Sequence, residues 1–275
     1  MIMQTLVKDS DTQAPQHAAQ WAPLQQKIRR TIVDLAATPT GCHIGGSLSV
    51  ADILLAAFAS SDREQGDEVI LSKGHAAAGL YAVMYHLGEL PDDPVASYGA
   101  KDSILTGHPN HKIPGVRFST GSLGHGVSYA VGWALARKLK GDLRRALVVA
   151  GDGELQEGLC WEAFQLASAQ QLGNFVMVVD RNGGQNDGAV ADISPLGRLD
   201  LRLQGFGFCV VELDGHDVQA LVDVIRAHDH HGGQPLAIIA NTVKGKGVPA
   251  IENNPSCHYA VLRPALAQKW KEAVV

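Results

Sequence analysis

Two apolar runs that end in polar residues constrain the fold of this chain most strongly. The run "ALVVAG" leads into Asp152, which stands between Gly151 and Gly153, and the run "FVMVVD" ends shortly before Asn182. Runs this apolar are typical of strands in a parallel sheet that is covered on both faces. Because the carboxyl ends of parallel strands meet at one edge, we expect Asp152 and Asn182 to share a crevice there.

Strand and helix candidates alternate over most of the chain, which predicts an α/β fold with a parallel sheet and helices on both faces. The strand candidates are "EVILS", "ALVVAG", "FVMVVD", "FCVVEL" and "LAIIAN". Helical patterns occur over 21–37, 50–59, 126–140, 157–171, 195–204 and 218–230, and in "KGHAAAGLYAVMYHLGEL" before Pro91. Residues 91–126 are rich in Gly, Pro, His and Asn, which predicts a functional loop.

Length and composition favour one large domain and exclude several classes of partner. The chain has 275 residues, of which 1–20 are polar without a clear period, so we expect a flexible tail before a domain over 21–275. The net charge of −5 and the lack of a basic cluster give no reason to expect nucleic-acid binding. No apolar run reaches the roughly 18 residues of a membrane span, and the N-terminus lacks signal-peptide features, so we expect a cytoplasmic protein.

The cysteines are scattered, which favours buried thiols in a reducing compartment over a disulfide framework or a metal site. Two of them directly precede histidines, which leaves a zinc site as an alternative, although the spacing is not that of known zinc sites. The four cysteines are Cys42, Cys160, Cys209 and Cys257.

The residues at the predicted crevice suit a magnesium ion that holds a diphosphate. Mg²⁺ prefers oxygen ligands in octahedral geometry and usually takes one or two carboxylates, with phosphate oxygens at other positions. Asp152 can supply a carboxylate oxygen, Asn182 an amide oxygen, and a backbone carbonyl just after Asn182 a third ligand. Gly151 and Gly153 carry no side chain and leave room for the diphosphate. A tight turn is the alternative interpretation of "GDG" alone.

The wider pattern resembles the thiamine diphosphate motif, and "GDGELQEG" with "WEA" resembles transketolase in particular. The similarity extends over about residues 20–260 through "GCHIGGSLS", "LSKGHAA", "LTGHPNHKIPG", "STGSLGHG" and "TVKGKGVPAIENNPSCH". It implies a thiamine diphosphate-binding fold, with Mg²⁺ or Ca²⁺ held by Asp152, Asn182 and the carbonyl of Gly184. The Gly153 N–H would hold the diphosphate, and Gly121 and Leu123 would contact the aminopyrimidine ring.

The same resemblance assigns the other candidate site residues. Proton transfer near neutral pH suits imidazole, and catalytic roles fall on His43, His75, His108 and His258. Cofactor contacts fall on His75, Gly121, Leu123, Gly151, Asp152, Gly153, Glu154, Asn182, Asn186 and His258. Glu157 and Glu162 are either solvated helix charges or an interface proton relay. The remaining histidines with weaker context are interpreted as structural or surface residues: His86, His111, His216, His228, His230 and His231.

In the family, a second domain supplies the carboxylate that binds the pyrimidine ring, and this chain ends before such a domain. The resemblance therefore implies the N-terminal subunit of a split transketolase, paired with a separate pyrimidine-binding chain in an α2β2 assembly. Its reaction would transfer a two-carbon ketol unit from a ketose or ketose phosphate to an aldehyde. Three positions depart from the family pattern and leave the substrates open: Asn186, His125 and Tyr259.

Other interpretations of the sequence remain as alternatives. The α-subunit of a 2-oxo acid dehydrogenase also carries a GDG site but does not explain "GHP" or "GELQEG". A non-catalytic scaffold could keep the same cofactor fold. A serine hydrolase is disfavoured because "TGSLG" and "GGSLS" do not match GxSxG. "KGKG" lacks the phosphate-loop pattern and is interpreted as a turn leading to His258.

Overall fold

The computed structural model describes residues 14–142, 144–254 and 257–275. Five strands of this part of the chain form one sheet in the order β1-β2-β3-β7-β6, and every pairing in it is parallel. A short antiparallel hairpin, β4 and β5, follows the third strand. The strands are β1 (Glu68–Leu71), β2 (Ala146–Gly151), β3 (Phe175–Arg181), β4 (Gly184–Gln185), β5 (Gly188–Ala189), β6 (Cys209–Asp214) and β7 (Leu236–Asn241).

Helices cover both faces of the sheet, as predicted. Alternate residues of one strand enter opposite hydrophobic layers: Val176 and Val178 pack with one group of helices, and Met177 and Val179 pack with the other. The helices are α1 (Ala14–Ala36), α2 (Ile44–Ser60), α3 (Ala77–His86), α4 (His125–Leu139), α5 (Gly158–Ala169), α6 (Val190–Ile193), α7 (Leu199–Gly205), α8 (Val218–Ala227) and α9 (Pro264–Glu272). None of the helices in the described ranges is long and apolar enough to cross a bilayer.

Several predicted boundaries were wrong. Helix α1 begins at Ala14, so residues 14–20 of the predicted tail are helical, because their Ala and Gln residues favour continuation of the amphipathic helix. Residues 1–13 lie outside the described residues. Helix α2 begins at Ile44 within the predicted Gly-rich turn, where its glycines permit close packing: a Cβ on Gly45 would lie 2.0 Å from the Cys257 carbonyl oxygen. The predicted helix over 195–204 starts only at Leu199, and the hairpin β4–β5 and α9 were not predicted.

The first turn of α4 packs directly on the chain after β1. The Ser72 hydroxyl oxygen accepts a hydrogen bond from the Val127 N–H at 3.1 Å. A Cβ on Gly126 would lie 2.6 Å from both Cα and Oγ of Ser72. The glycine therefore allows the approach that fixes α4 against the end of β1.

We expect Gly126→Ala to lower the free energy of unfolding by about 1–3 kcal/mol, because the added methyl group overlaps the Ser72 backbone. Gly132→Ala in the same helix is the matched control, since no atom lies within 4 Å of its Cβ position. That control should stabilise the chain by up to about 1 kcal/mol through helix propensity. Urea unfolding followed by circular dichroism measures both. Equal effects at the two glycines would contradict the packing argument.

Candidate active site

A cavity of about 330 Å³ opens at the carboxyl ends of β2 and β3. Asp152 follows β2 and Asn182 follows β3, and both line this cavity, as expected for adjacent parallel strands. The predicted cofactor residues all lie on its wall: His75, Gly121, Leu123, Gly151, Asp152, Gly153, Glu154, Asn182, Asn186 and His258. Gly184 and Glu157 also line it.

The Asp152 carboxylate is buried and is held by backbone donors from both strand ends. Its Oδ1 accepts a hydrogen bond from the Gly153 N–H at 2.8 Å, and its Oδ2 accepts one from the Gly183 N–H at 2.7 Å. Burial, followed by the nearby Asp180 carboxylate, raises the pKa of Asp152 to about 6. A negative charge here is costly without a nearby cation, which is the electrostatic character of a metal ligand.

The side chain of Asn182 is oriented by its amide nitrogen. That nitrogen donates hydrogen bonds to Ser49 Oγ at 3.0 Å and to Asp180 Oδ2 at 3.3 Å. The amide oxygen accepts from the Gly184 N–H at 3.0 Å and keeps a second lone pair. The acceptors around the Asn182 nitrogen therefore assign its oxygen to the side of a prospective metal ion.

A buried ionic network beneath these ligands was not predicted from the sequence. Asp180 is fully buried and accepts hydrogen bonds from Lys73 Nζ at 2.5 Å, from Ser49 Oγ at 2.6 Å and from Thr242 Oγ1. A carboxylate at the end of an otherwise apolar strand was the available signal, because a buried charge requires partners. The network fixes the positions of Asn182 and Lys73 relative to each other.

Lys244 is a second buried cation on the cavity wall that was not predicted. Its segment "KGKG" forms the predicted turn, and the lysine ammonium group donates to the Gln185 carbonyl oxygen at 3.4 Å. Burial, followed by repulsion from Lys73, lowers the pKa of Lys244. Two lysines at one small cavity favour an anionic ligand with several charges, such as a diphosphate.

The residues present fit thiamine diphosphate and a divalent cation. Asp152, Asn182 and the Gly184 carbonyl supply oxygen ligands, and Gln185 Oε1 is a buried oxygen without a partner beside Gly153. Within the described ranges, no three His, Cys, Asp or Glu side chains are grouped so as to hold a metal ion, so the zinc alternative gains no support. A site with one carboxylate, one amide and one carbonyl suits Mg²⁺ or Ca²⁺.

The structure brings the four predicted histidines together around His43. Its ring centroid lies 5.4 Å from that of His75, 6.1 Å from that of His108 and 5.0 Å from that of His258. His75 and His258 line the cavity, whereas His43 and His108 flank them farther out. The cluster is therefore placed to contact a substrate that lies over a bound cofactor.

All four imidazoles are expected to titrate below the ordinary histidine pKa. Burial is the main cause for each: it lowers the pKa of His43 to about 4 and that of His75 to about 2, and it lowers the pKa of His108 and of His258. Folded pKa values below the unfolded value of about 6.5 make these groups destabilising as the pH falls below 6.5.

We therefore expect the four imidazoles to be neutral in the folded chain at pH 6. Two-dimensional NMR of ¹⁵N-labelled histidine should give four folded-state midpoints below 6.5, with the chain in denaturant as the control. Single His→Gln variants assign the signals. A midpoint at or above 6.5 for His43 or His75 would contradict the effect of burial.

Two predicted glutamates, Glu154 and Glu162, contribute in different ways. Glu154 lines the cavity, but its buried carboxylate already accepts hydrogen bonds from the Ser72 hydroxyl at 2.5 Å and from the N–H groups of Gly124 and Gly151. It therefore connects the cavity loops rather than offering a free charge. Glu162 is exposed on α5 and is not among the residues that line the cavity.

The three positions that depart from the family pattern differ in location. Asn186 is exposed at the cavity and donates to Asp187 Oδ1 at 3.0 Å. The Tyr259 ring centroid lies 5.0 Å from that of His43, and its hydroxyl donates to the Thr40 carbonyl. His125 is exposed at the first residue of α4. The first two positions therefore lie close enough to influence substrate choice.

Comparisons with known proteins agree with this site. Residues 22–274 match the family described as "Transketolase, thiamine diphosphate binding domain". One of the two subunits of an apulose-4-phosphate transketolase from Actinobacillus succinogenes is 40% identical over 244 residues, covering 85% of this chain and 88% of that protein. A 6-deoxy-6-sulfo-D-fructose transketolase subunit from a Clostridium species is 32% identical, covering 84% and 86%.

Solved structures give the same family of folds. A transketolase from Campylobacter jejuni superimposes with a TM-score of 0.79 at 29% identity, over 94% of this chain and 42% of that one. The chain thus spans less than half of the length of that transketolase, but most of the length of the two curated subunits.

Proposed function

Because this chain belongs to the transketolase family, we propose that it is the diphosphate-binding subunit of a two-chain enzyme that transfers a two-carbon ketol unit from a ketose to an aldehyde. The observation that supports this most is the cavity at the ends of β2 and β3. It combines the ligand oxygens of Asp152 and Asn182 with the ammonium groups of Lys73 and Lys244. This arrangement suits a metal-bound diphosphate.

In this proposal the cofactor is thiamine diphosphate with Mg²⁺ or Ca²⁺. When bound, its thiazolium ring supplies the electron sink that cleavage of a carbon–carbon bond requires. Asp152, Asn182 and the Gly184 carbonyl would hold the cation, and the Gly153 N–H, Lys73 and Lys244 would hold the diphosphate. The chain itself would orient the cofactor and neutralise its charge.

The histidine cluster would bind and deprotonate substrate hydroxyl groups. A neutral imidazole has one donor and one acceptor nitrogen, so it can orient a sugar hydroxyl and accept its proton. His75 and His258 lie at the cavity, and His43 and His108 extend the cluster outward. Their lowered pKa values support neutral rings at physiological pH, since burial disfavours the charged form.

The partner would be a separate chain that carries the pyrimidine-binding domain. Support comes from coverage: this chain matches 88% of a protein whose name describes one transketolase subunit, but only 42% of a complete transketolase. We propose an α2β2 assembly in the cytoplasm, in carbohydrate metabolism. Glu157, at the cavity, and the exposed Glu162 would belong to an interface proton relay within that assembly.

The proposed donors are ketoses with an anionic group, such as ketose phosphates. The two curated relatives are named for apulose 4-phosphate and for 6-deoxy-6-sulfo-D-fructose, which both carry a negative group. Asn186 and Tyr259 would adjust the choice, since they lie at the cavity and beside His43. A panel of donors is therefore needed to identify the substrate.

Ketol transfer from a panel of ketoses tests the proposal, with thiamine diphosphate and Mg²⁺ present. The chain is assayed alone, then mixed with the product of the adjacent reading frame, and the same mixture is made with Asp152→Asn. Activity only in the unmodified mixture is the expected result. If the mixture binds the cofactor but transfers no ketol unit from any donor, the proposed reaction fails and the scaffold alternative is favoured.

A further inference from the structure

His216 links a buried carboxylate of α2 to the backbone beside Lys244. It lies in the turn between β6 and α8, and its side chain is 12% exposed. Its Nδ1 lies 2.7 Å from Asp52 Oδ2, and its Nε2 accepts a hydrogen bond from the Val243 N–H at 2.9 Å. One imidazole thus connects three separate parts of the chain.

These contacts define the protonation of the ring. Because Nε2 accepts from a backbone N–H, the proton of the neutral ring must be on Nδ1, which donates it to Asp52. Asp52 is itself fixed: its side chain is 1% exposed and also accepts from Arg29 Nη2 at 2.7 Å and from Gln25 Nε2 at 2.9 Å. The ring therefore cannot turn without breaking a buried hydrogen bond.

The segment held by His216 carries two groups of the cavity. Thr242 donates its hydroxyl to Asp180, and Lys244 extends into the cavity. On the far side of Lys244, the Gly245 N–H donates to the Gly45 carbonyl at 3.1 Å. Val243 and Gly245 are thus the two backbone donors that fix the lysine, and His216 is the acceptor for the first.

We infer that His216 is a positioning residue for diphosphate binding: through the Val243 N–H it fixes the backbone from which Lys244 reaches the cavity. This inference rests on the proposed cofactor site. Loss of the imidazole would leave the Val243 N–H without its acceptor and allow the segment to shift, so the ammonium group of Lys244 would lose its fixed place. His216 itself contacts no ligand.

A double-mutant cycle tests the inference with the full chain, and the probe is inorganic diphosphate with Mg²⁺. Dissociation constants are measured by calorimetry for the parent chain, His216→Ala, Lys244→Ala and the double variant. We expect His216→Ala to weaken binding about tenfold in the parent background, the loss that one unsatisfied buried donor produces. In the Lys244→Ala background the same change should have almost no effect.

Two further variants separate positioning from general loss of structure. His228→Ala is the matched control, because His228 is also half-buried and contacts a backbone group, the Gly173 carbonyl, at 2.9 Å, outside the cavity. It should lower the melting temperature without changing the diphosphate affinity. His216→Gln keeps a donor and an acceptor on one planar group and should restore part of the affinity, and it replaces His216→Ala in the cycle if that variant does not fold.

The outcomes separate the two claims. If the parent chain does not bind Mg²⁺ diphosphate, the proposed cofactor site fails, and this inference fails with it. If the parent chain binds but the His216 variant loses the same factor with and without Lys244, His216 does not act through Lys244 and only this inference is overturned. An unchanged affinity in His216→Ala would overturn it as well.

Discussion

Replacing Asp152 with asparagine is expected to weaken the affinity for thiamine diphosphate and Mg²⁺ by more than about 100-fold, the upper end of what loss of an outer partner of a metal ligand costs. Asp152 is the only carboxylate in the proposed ligand set of Asp152, Asn182 and Gly184. Asparagine keeps the size of the side chain but removes the charge that attracts the cation. Ketol transfer should be lost together with binding.

The same substitution is expected to stabilise the chain when no metal is present. Burial and Asp180 raise the pKa of Asp152 from 3.8 to about 6. A carboxyl group with a raised folded pKa binds its proton more tightly in the folded state, so the unfolding free energy falls as the pH rises from about 4 to about 6. A neutral asparagine removes that dependence and should raise the melting temperature at pH 7.

Calorimetric titration with the cofactor and thermal unfolding in a chelator measure the two effects. Asp92→Asn, at an exposed loop position outside the cavity, is the matched control and should change neither. A variant that loses cofactor affinity and is also less stable without metal would indicate that Asp152 is a structural residue. Retained affinity would remove Asp152 from the metal site.

The sheet and its functional edge could be predicted because their signals are local. Apolar runs such as "FVMVVD" and "LAIIAN" identify strands directly, and the end of a strand places Asp152 and Asn182 at one edge. The start of α2 at Ile44 could not be predicted, because its glycines are explained by a long-range contact with Cys257. Helix propensity opposes such a start.

The residues that hold the site in place were missed for a related reason. Lys73, Asp180 and His216 form hydrogen bonds to groups far away in the sequence, and nothing in their local sequence patterns names those partners. The turn containing Lys244 was predicted, but its position on the cavity wall depends on the packing of 242–245 against α2. Motifs identify ligands more readily than the side chains that orient them.

The buried Lys73–Asp180 pair is expected to produce the largest change in stability. The two side chains are 3% and 0% exposed and lie 2.5 Å apart, beneath the proposed metal site. Lys73→Met leaves the Asp180 charge buried without its counterion, and Asp180→Asn leaves the Lys73 charge in the same position. Each single change should lower the free energy of unfolding by about 3–5 kcal/mol.

The double variant Lys73→Met with Asp180→Asn should be more stable than either single variant, because no uncompensated charge is left in the interior. Urea unfolding of the four chains gives the coupling energy. Lys271→Met is the control, since its partly exposed pair with Asp34 should contribute about 1 kcal/mol or less. If the two single effects simply add in the double variant, the pair is not coupled. Restored stability without restored cofactor affinity would instead assign the charged pair to orienting the cavity, since Lys73 lines it and Asp180 holds Asn182.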